Sequence, residues 1–111
     1  MTYHVRPLRR ARKDADAIVD WIANERRSPQ GAAAWLKAYD KALASLADWP
    51  ESHGLAPEDE FDERELRQFL FKTRRGRTYR GIFTVSGNEV LILRVRGPGQ
   101  RILEPDEIPG D

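Results

Sequence analysis

The 111-residue sequence contains no cysteine, one methionine and two isolated histidines, His4 and His53. Without cysteine there is no disulfide framework, no thiol nucleophile and no thiolate metal site, and two distant histidines leave no imidazole cluster. No cofactor or metal is therefore expected. Long apolar runs are missing too, and with 33% of residues charged a membrane span is excluded. Arginine stands at position 6, where a secretory signal would carry its apolar stretch, so the chain is expected in the cytoplasm. Repeats, low-complexity tracts and interdomain linkers are also absent. The length is that of a single domain, 1–111, with one core of modest size.

What is present is charge sorted along the chain. Residues 48–63 hold seven acids and no Lys or Arg, residues 64–101 hold ten Lys or Arg against Glu65 and Glu89, and residues 103–111 are acidic again. A net charge of +1 hides a segment near +8. A basic stretch of this kind points to an anionic partner, either nucleic acid or an acidic protein segment.

Hydrophobic periodicity places the elements. Residues 2–6 alternate and end at Pro7, which suits a short strand. Leu8, Ala11, Ala15, Ile18, Val19 and Ile22 then recur at three- and four-residue steps, predicting a helix over 8–27. Ser28-Pro29 is a helix-start signal, and Ala32, Trp35, Leu36, Tyr39, Leu43 and Leu46 carry a second stripe as far as Trp49, before Pro50. Two helices so closely joined pack as an antiparallel hairpin. Residues 51–64 read as an exposed acidic loop or a short helical turn. Residues 66–71, 78–85 and 89–95 read as three strands joined by turns at Arg75-Gly76 and Ser86-Gly87-Asn88. The order β-α-α-β-β-β predicts an α+β fold with a helical hairpin packed on an antiparallel sheet.

Strand alternation then sorts the arginines. Tyr79, Gly81, Phe83 and Val85 share one face, and Leu91, Leu93 and Val95 form a matching apolar set, so both are expected under the helices. Arg80, Arg94 and Arg96 would share the uncovered face, with Arg67 joining them if its strand is in register. The planar guanidinium fork suits phosphate and carboxylate, so this face is either an oxyanion or nucleic-acid surface, or a solvated face paired with acids from the loop or tail. Lys72, Arg74, Arg75 and Arg77 surround a hairpin turn, where exposed charge is ordinary. Trp35, Trp49, Tyr39 and Tyr79 are expected in the core, whereas Trp21 lies beside its stripe and suits a partner-binding surface. The acidic loop is either a solvated connection or a screen over the basic face. If it serves recognition of a target, replacing Glu58, Asp59 and Glu60 with serine should leave folding intact and change the activity.

Ala34-Trp35, the run of residues 43–50, Leu66-Arg67, Tyr79-Arg80 with Ile82-Phe83, and residues 91–97 occur in an order that resembles the RelE/ParE superfamily of bacterial type II toxin–antitoxin toxins. The resemblance covers most of the chain. It implies a small toxin neutralised by a cognate antitoxin and carrying the α+β fold above, with two modes of action. RelE-like members cleave mRNA at the ribosome, and ParE-like members poison DNA gyrase. Carried over residue by residue, Arg80 matches an arginine that contacts the scissile phosphate in RelE-like toxins, and Arg101 falls near a second one. These two would be the catalytic residues of a ribonuclease. RelE-like toxins also place a Tyr or His near the C-terminus, where residues 103–111 have neither. The ParE-like histidine before Gly97 is replaced by Arg96. The missing acid favours a ParE-like toxin that binds and blocks its target through Arg67, Arg80, Arg94, Arg96 and Arg101. The alternatives are a ribosome-dependent endoribonuclease or a non-toxic nucleic-acid or protein-binding module.

Overall fold

In a computed structural model that describes residues 2–110, Pro7 closes β1 (His4–Pro7), and the helical stripe behind it winds into α1 (Arg9–Asp20). Met1, and Asp111 of the acidic tail, lie outside the described residues. At Trp21 the helix widens into one π turn, Trp21–Glu25, in which the Arg26 N–H donates to the Trp21 carbonyl at 3.1 Å. The predicted first helix is thus continuous through residue 25 but changes pitch. Arg27 then takes a left-handed φ of 52°. Next, the Ser28 hydroxyl accepts the Gly31 N–H at 3.0 Å and Pro29 opens α2 (Pro29–Leu46), as its capping signal predicts.

The second helix stops short of Trp49, because the chain turns at Ala47, whose carbonyl accepts the Tyr3 N–H at 2.7 Å. Trp49 is consequently 75% exposed instead of buried in the core. Beyond the loop come β2 (Arg67–Phe71), β3 (Tyr79–Ser86) and β4 (Glu89–Arg96), an antiparallel meander with Gly87 at φ 61° in its second turn. Strand order is β1-β4-β3-β2, and β1 runs parallel to β4. The α+β class and the element order stand. The sheet, however, is mixed rather than wholly antiparallel, since a three-stranded meander returns its last strand in the direction of its first, which is that of β1.

Helix–sheet packing makes the larger core, with Trp35 at its centre. Its ring stacks on Tyr39 at 5.2 Å between centroids and meets Phe71 and Tyr79 edge-on at 5.5 Å. Gly81 lies directly across from Phe69, whose ring would stand 2.2 Å from a Cβ at that position. The β3 face assignment holds. That of β4 does not: a bulge pairs Ile82 with Arg94 but Phe83 with Ile92, so one β4 residue is extra. Val90 and Ile92 therefore join Val95 under the helices, while Leu91 and Leu93 turn to the opposite face.

That opposite face is not uncovered. Leu66, Ile82, Leu91 and Leu93 form a second buried cluster there with Leu8, Ala56, Leu103 and Ile108. The acidic loop, wound into 3-10 turns at Pro50–Ser52 and Pro57–Phe61, and the tail, with another at Pro105–Glu107, supply its cover.

Candidate functional site

Arg80, Arg94 and Arg96 share the second face of the sheet, with Arg80 and Arg96 directly opposite each other. Each is tied down. Arg80 forks onto Glu58 at 2.6 and 2.9 Å, and Glu58, fully buried, also accepts the Leu103 N–H at 2.9 Å. Burial pushes the Glu58 carboxyl up, yet Arg80 and the Leu103 N–H outweigh it and hold the group below its ordinary value. Arg94 forks onto Asp14 of α1 at 2.7 and 3.0 Å and reaches the Glu107 carbonyl at 2.9 Å. Asp14 also takes the Val95 N–H, closing the stretch of β4 edge that β1 leaves bare. Arg96 is buried and donates to the Arg101 carbonyl at 2.8 Å; burial, then the neighbouring Arg94, pull its pKa down.

Arg67 does not join this group. It pairs with Phe83 and so falls on the helix side of the sheet, where it binds Glu65 at 2.9 Å and the His53 carbonyl. His53 in turn is held below its ordinary pKa by burial and by Arg67. Arg101 is the most open of the five, its side chain 59% exposed, and binds Glu107 at 2.7 Å. That contact and the Glu104 N–H hold the Glu107 carboxyl at about 2, while Glu107 raises Arg101. A loop acid, Glu58, thus pairs with Arg80 and a tail acid, Glu107, with Arg101, while Arg94 takes its acid from α1. Glu58, and Asp59, which accepts the Leu66 N–H at 2.8 Å, are consequently part of the packing, contrary to the expectation that serine there would leave folding intact.

A second arrangement is formed at the same end of the sheet, on its helix-covered side. A cleft of about 640 Å³ lies between the π turn, the start of α2, the β2–β3 hairpin loop and the turn after β4. Ile18, Ile22, Trp35 and Tyr79 line its apolar part, and Arg26, Arg75 and Arg77 line it with positive charge. Among the described residues no carboxylate or imidazole lines it. Trp21 is half exposed in its wall, with the Arg26 guanidinium 5.8 Å from the ring centroid. Such a cleft can hold an anionic group attached to an apolar or aromatic one. Its cations are absent from the five arginines singled out in the sequence. Arg75 and Arg77 read there as ordinary hairpin charge, and residues five apart on an α-helix lie about 140° apart around its axis, whereas the π turn aligns Trp21 with Arg26. The one available signal was the crowding of cations in residues 72–77.

Among the described residues, no helix is long and apolar enough to cross a membrane, and no His, Cys, Asp and Glu cluster could hold a metal ion. No curated protein matches the sequence significantly. Solved structures do match by fold. One, of the chromosomal ParDE toxin–antitoxin system of P. aeruginosa, is 22% identical, covers 86% of this chain and 95% of its own, and superimposes with a TM-score of 0.61. An arginine-to-alanine double mutant of the E. coli toxin RelE in its free state is 16% identical, with coverage of 89% and 86% and a TM-score of 0.57. A third, from the RelBE2 toxin–antitoxin complex of Mycobacterium tuberculosis, is 26% identical, with coverage of 86% and 98% and a TM-score of 0.51. The family described as the ParE toxin of the type II toxin–antitoxin system, parDE, matches residues 5–101. With that match spanning nearly the whole of the folded chain, the protein belongs to the ParE toxin family.

Proposed function

We propose that the protein is a toxin that arrests growth by binding and blocking a target such as DNA gyrase, and that a cognate antitoxin holds it silent. The observation that carries this reading is the cation-lined, acid-free cleft beside the β2–β3 loop. Charge and apolar surface converge there without a carboxylate or imidazole to move a proton, which suits recognition better than hydrolysis. Arg101 follows the turn that closes the cleft, but its side chain turns to Glu107 of the tail. Arg67, Arg80, Arg94 and Arg96 lie outside the lining of the cleft and fix the sheet, the acidic loop and the tail.

The test is inducible expression of the wild type and of an Arg75→Glu/Arg77→Glu double variant in a bacterial host. Both positions are surface cations, so the variant should fold, as circular dichroism would check. Growth arrest with DNA-damage signalling and intact mRNA in the wild type, and none in the double variant, is the expected result. Equal arrest by both proteins would remove the cleft from the reading, and codon-phased mRNA ends would replace target blocking with ribosome-dependent cleavage.

A further inference from the structure

The cleft between the π turn and the β2–β3 loop carries positive charge that the fold leaves unanswered. Arg26, Arg75 and Arg77 are all exposed there, and among the described residues none of them has a carboxylate within ion-pair reach. The arginines of the sheet and tail differ, since Arg67, Arg80, Arg94, Arg96 and Arg101 are each held by a carboxylate or a carbonyl. Three like charges around one cleft repel one another until an anion comes between them. Ser28 and Gly31, at the capped N-terminus of α2, line the same cleft and add the positive end of the helix. Gln100 turns its Oε1 to the Gly97 N–H, which leaves its NH2 to donate. Trp21, Trp35 and Tyr79 supply aromatic surface, and the indole N–H of Trp35 is buried without an acceptor among the described residues.

We propose that this cleft binds a free nucleoside di- or triphosphate, its base against Trp21 and Tyr79 and its phosphates among Arg26, Arg75 and Arg77. The volume of about 640 Å³ falls within the range of about 300–1,000 Å³ that small-molecule sites occupy. Guanidinium forks match phosphoryl oxygens in geometry as well as charge. Aromatic rings accept any base by stacking, and Trp21, half exposed, offers its ring for this. An acidic peptide fits less well, because each of its residues brings a backbone N–H in need of an acceptor, whereas the guanidinium groups and the Gln100 NH2 only donate. A hydrocarbon tail would leave the Trp35 N–H unpaired, while a base carries ring nitrogens that accept. The site is also separate from the arginine face, which lies on the other side of the sheet with Arg80 and Arg94 already bound to Glu58 and Asp14. Binding needs only the geometry of the cleft. That a bound nucleotide then masks Arg75 and Arg77 from the target rests on the reading of this chain as a target-blocking toxin.

The experiment is calorimetric titration of the full chain with ATP, ADP, AMP, adenosine and pyrophosphate in metal-free buffer, with tryptophan fluorescence recorded alongside. Saturable binding is expected, strongest for ATP and ADP, weaker for AMP and pyrophosphate, and weakest for adenosine. Arg75→Glu/Arg77→Glu should weaken ATP binding about tenfold or more. Trp21→Leu should remove the fluorescence quenching and the advantage of ATP over pyrophosphate. These positions are exposed, so the variants should fold, and circular dichroism checks that they do. No saturable binding of ATP, or wild-type affinity in both variants, would overturn the site. Pyrophosphate bound as tightly as ATP would overturn the base contact and the nucleotide with it. A short oligothymidylate that binds more tightly than ATP and is not displaced by it would assign the cleft to a nucleic-acid strand and overturn the inference as well. If ATP fails to bind while the arginine variant still loses growth arrest, the nucleotide falls and target blocking stands. If ATP binds through Arg75 and Arg77 while that variant arrests growth like the wild type, the nucleotide site stands and the cleft loses its target.

Discussion

Residue by residue, the arginines that looked available from the sequence are the most committed groups in the molecule. An arginine on a strand reads as surface charge because strand alternation says which side it leaves from, not what is folded over that side. Glu58 shows the consequence. Its carboxylate is fully buried and accepts three short hydrogen bonds, two from the Arg80 fork and one from the Leu103 N–H. Removing one member of such a pair leaves a buried charge without compensation, so Glu58→Gln is expected to lower stability by about 3 kcal/mol in denaturant titration. The pH dependence follows from the same contacts. The folded pKa of Glu58 is depressed below 4.5, so its contribution is fully present above about pH 4.5 and is lost as the pH falls through the lower folded value. Asp62, held down chiefly by Arg64, acts in the same sense. Stability should therefore begin to fall as the pH drops through about 6.5, where His53 protonates more readily in the unfolded chain, and fall further below about pH 4.5, with that second decline shallower in Glu58→Gln. An unchanged acid profile in that variant would contradict the assignment.

At the scale of elements, the capping and turn signals were legible because their physics is local. Ser28-Pro29 opens α2 through one side-chain hydrogen bond and one fixed φ, and Gly87 supplies the left-handed residue that its turn requires. The π turn and the β4 bulge were not legible. Each inserts one residue against a regular period, and the reason lies in what must be reached: the π turn aligns Trp21 with Arg26, and the bulge places both Leu93 and Arg94 on the second face. Gly81 belongs to this scale as well. Its strand position is occupied from across the ladder by the Phe69 ring, which is itself buried and cannot withdraw. Gly81→Ala should therefore cost about 1–3 kcal/mol by thermal or chemical unfolding, despite adding a better strand former. A neutral or stabilising outcome would mean that the ring has room to move.

For the whole molecule, the sheet is buried on both sides, by the helical hairpin on one and by the acidic loop and tail on the other. Both layers pack on the same strands, and Arg94 ties α1 to the tail through Asp14 and the Glu107 carbonyl, so the two cores should unfold together. Leu103→Ala, at a position 1% exposed, is expected to lower stability by about 2–4 kcal/mol with a single transition retained. Two resolved transitions would mean that the loop-and-tail layer is a separate unit. The sequence by itself determined the α+β class, the element order, the meander and the family, because periodicity, capping and turn chemistry act over a few residues and the family's motifs lie along the chain. Tertiary structure alone decided that β1 runs parallel to β4, that the arginine face is covered, and that Trp21, Arg26, Arg75 and Arg77 come together around one cleft. Those outcomes depend on contacts between segments dozens of residues apart. No local period encodes such contacts, and the charge sorting that announced the basic segment also supplied the acids that pair with it.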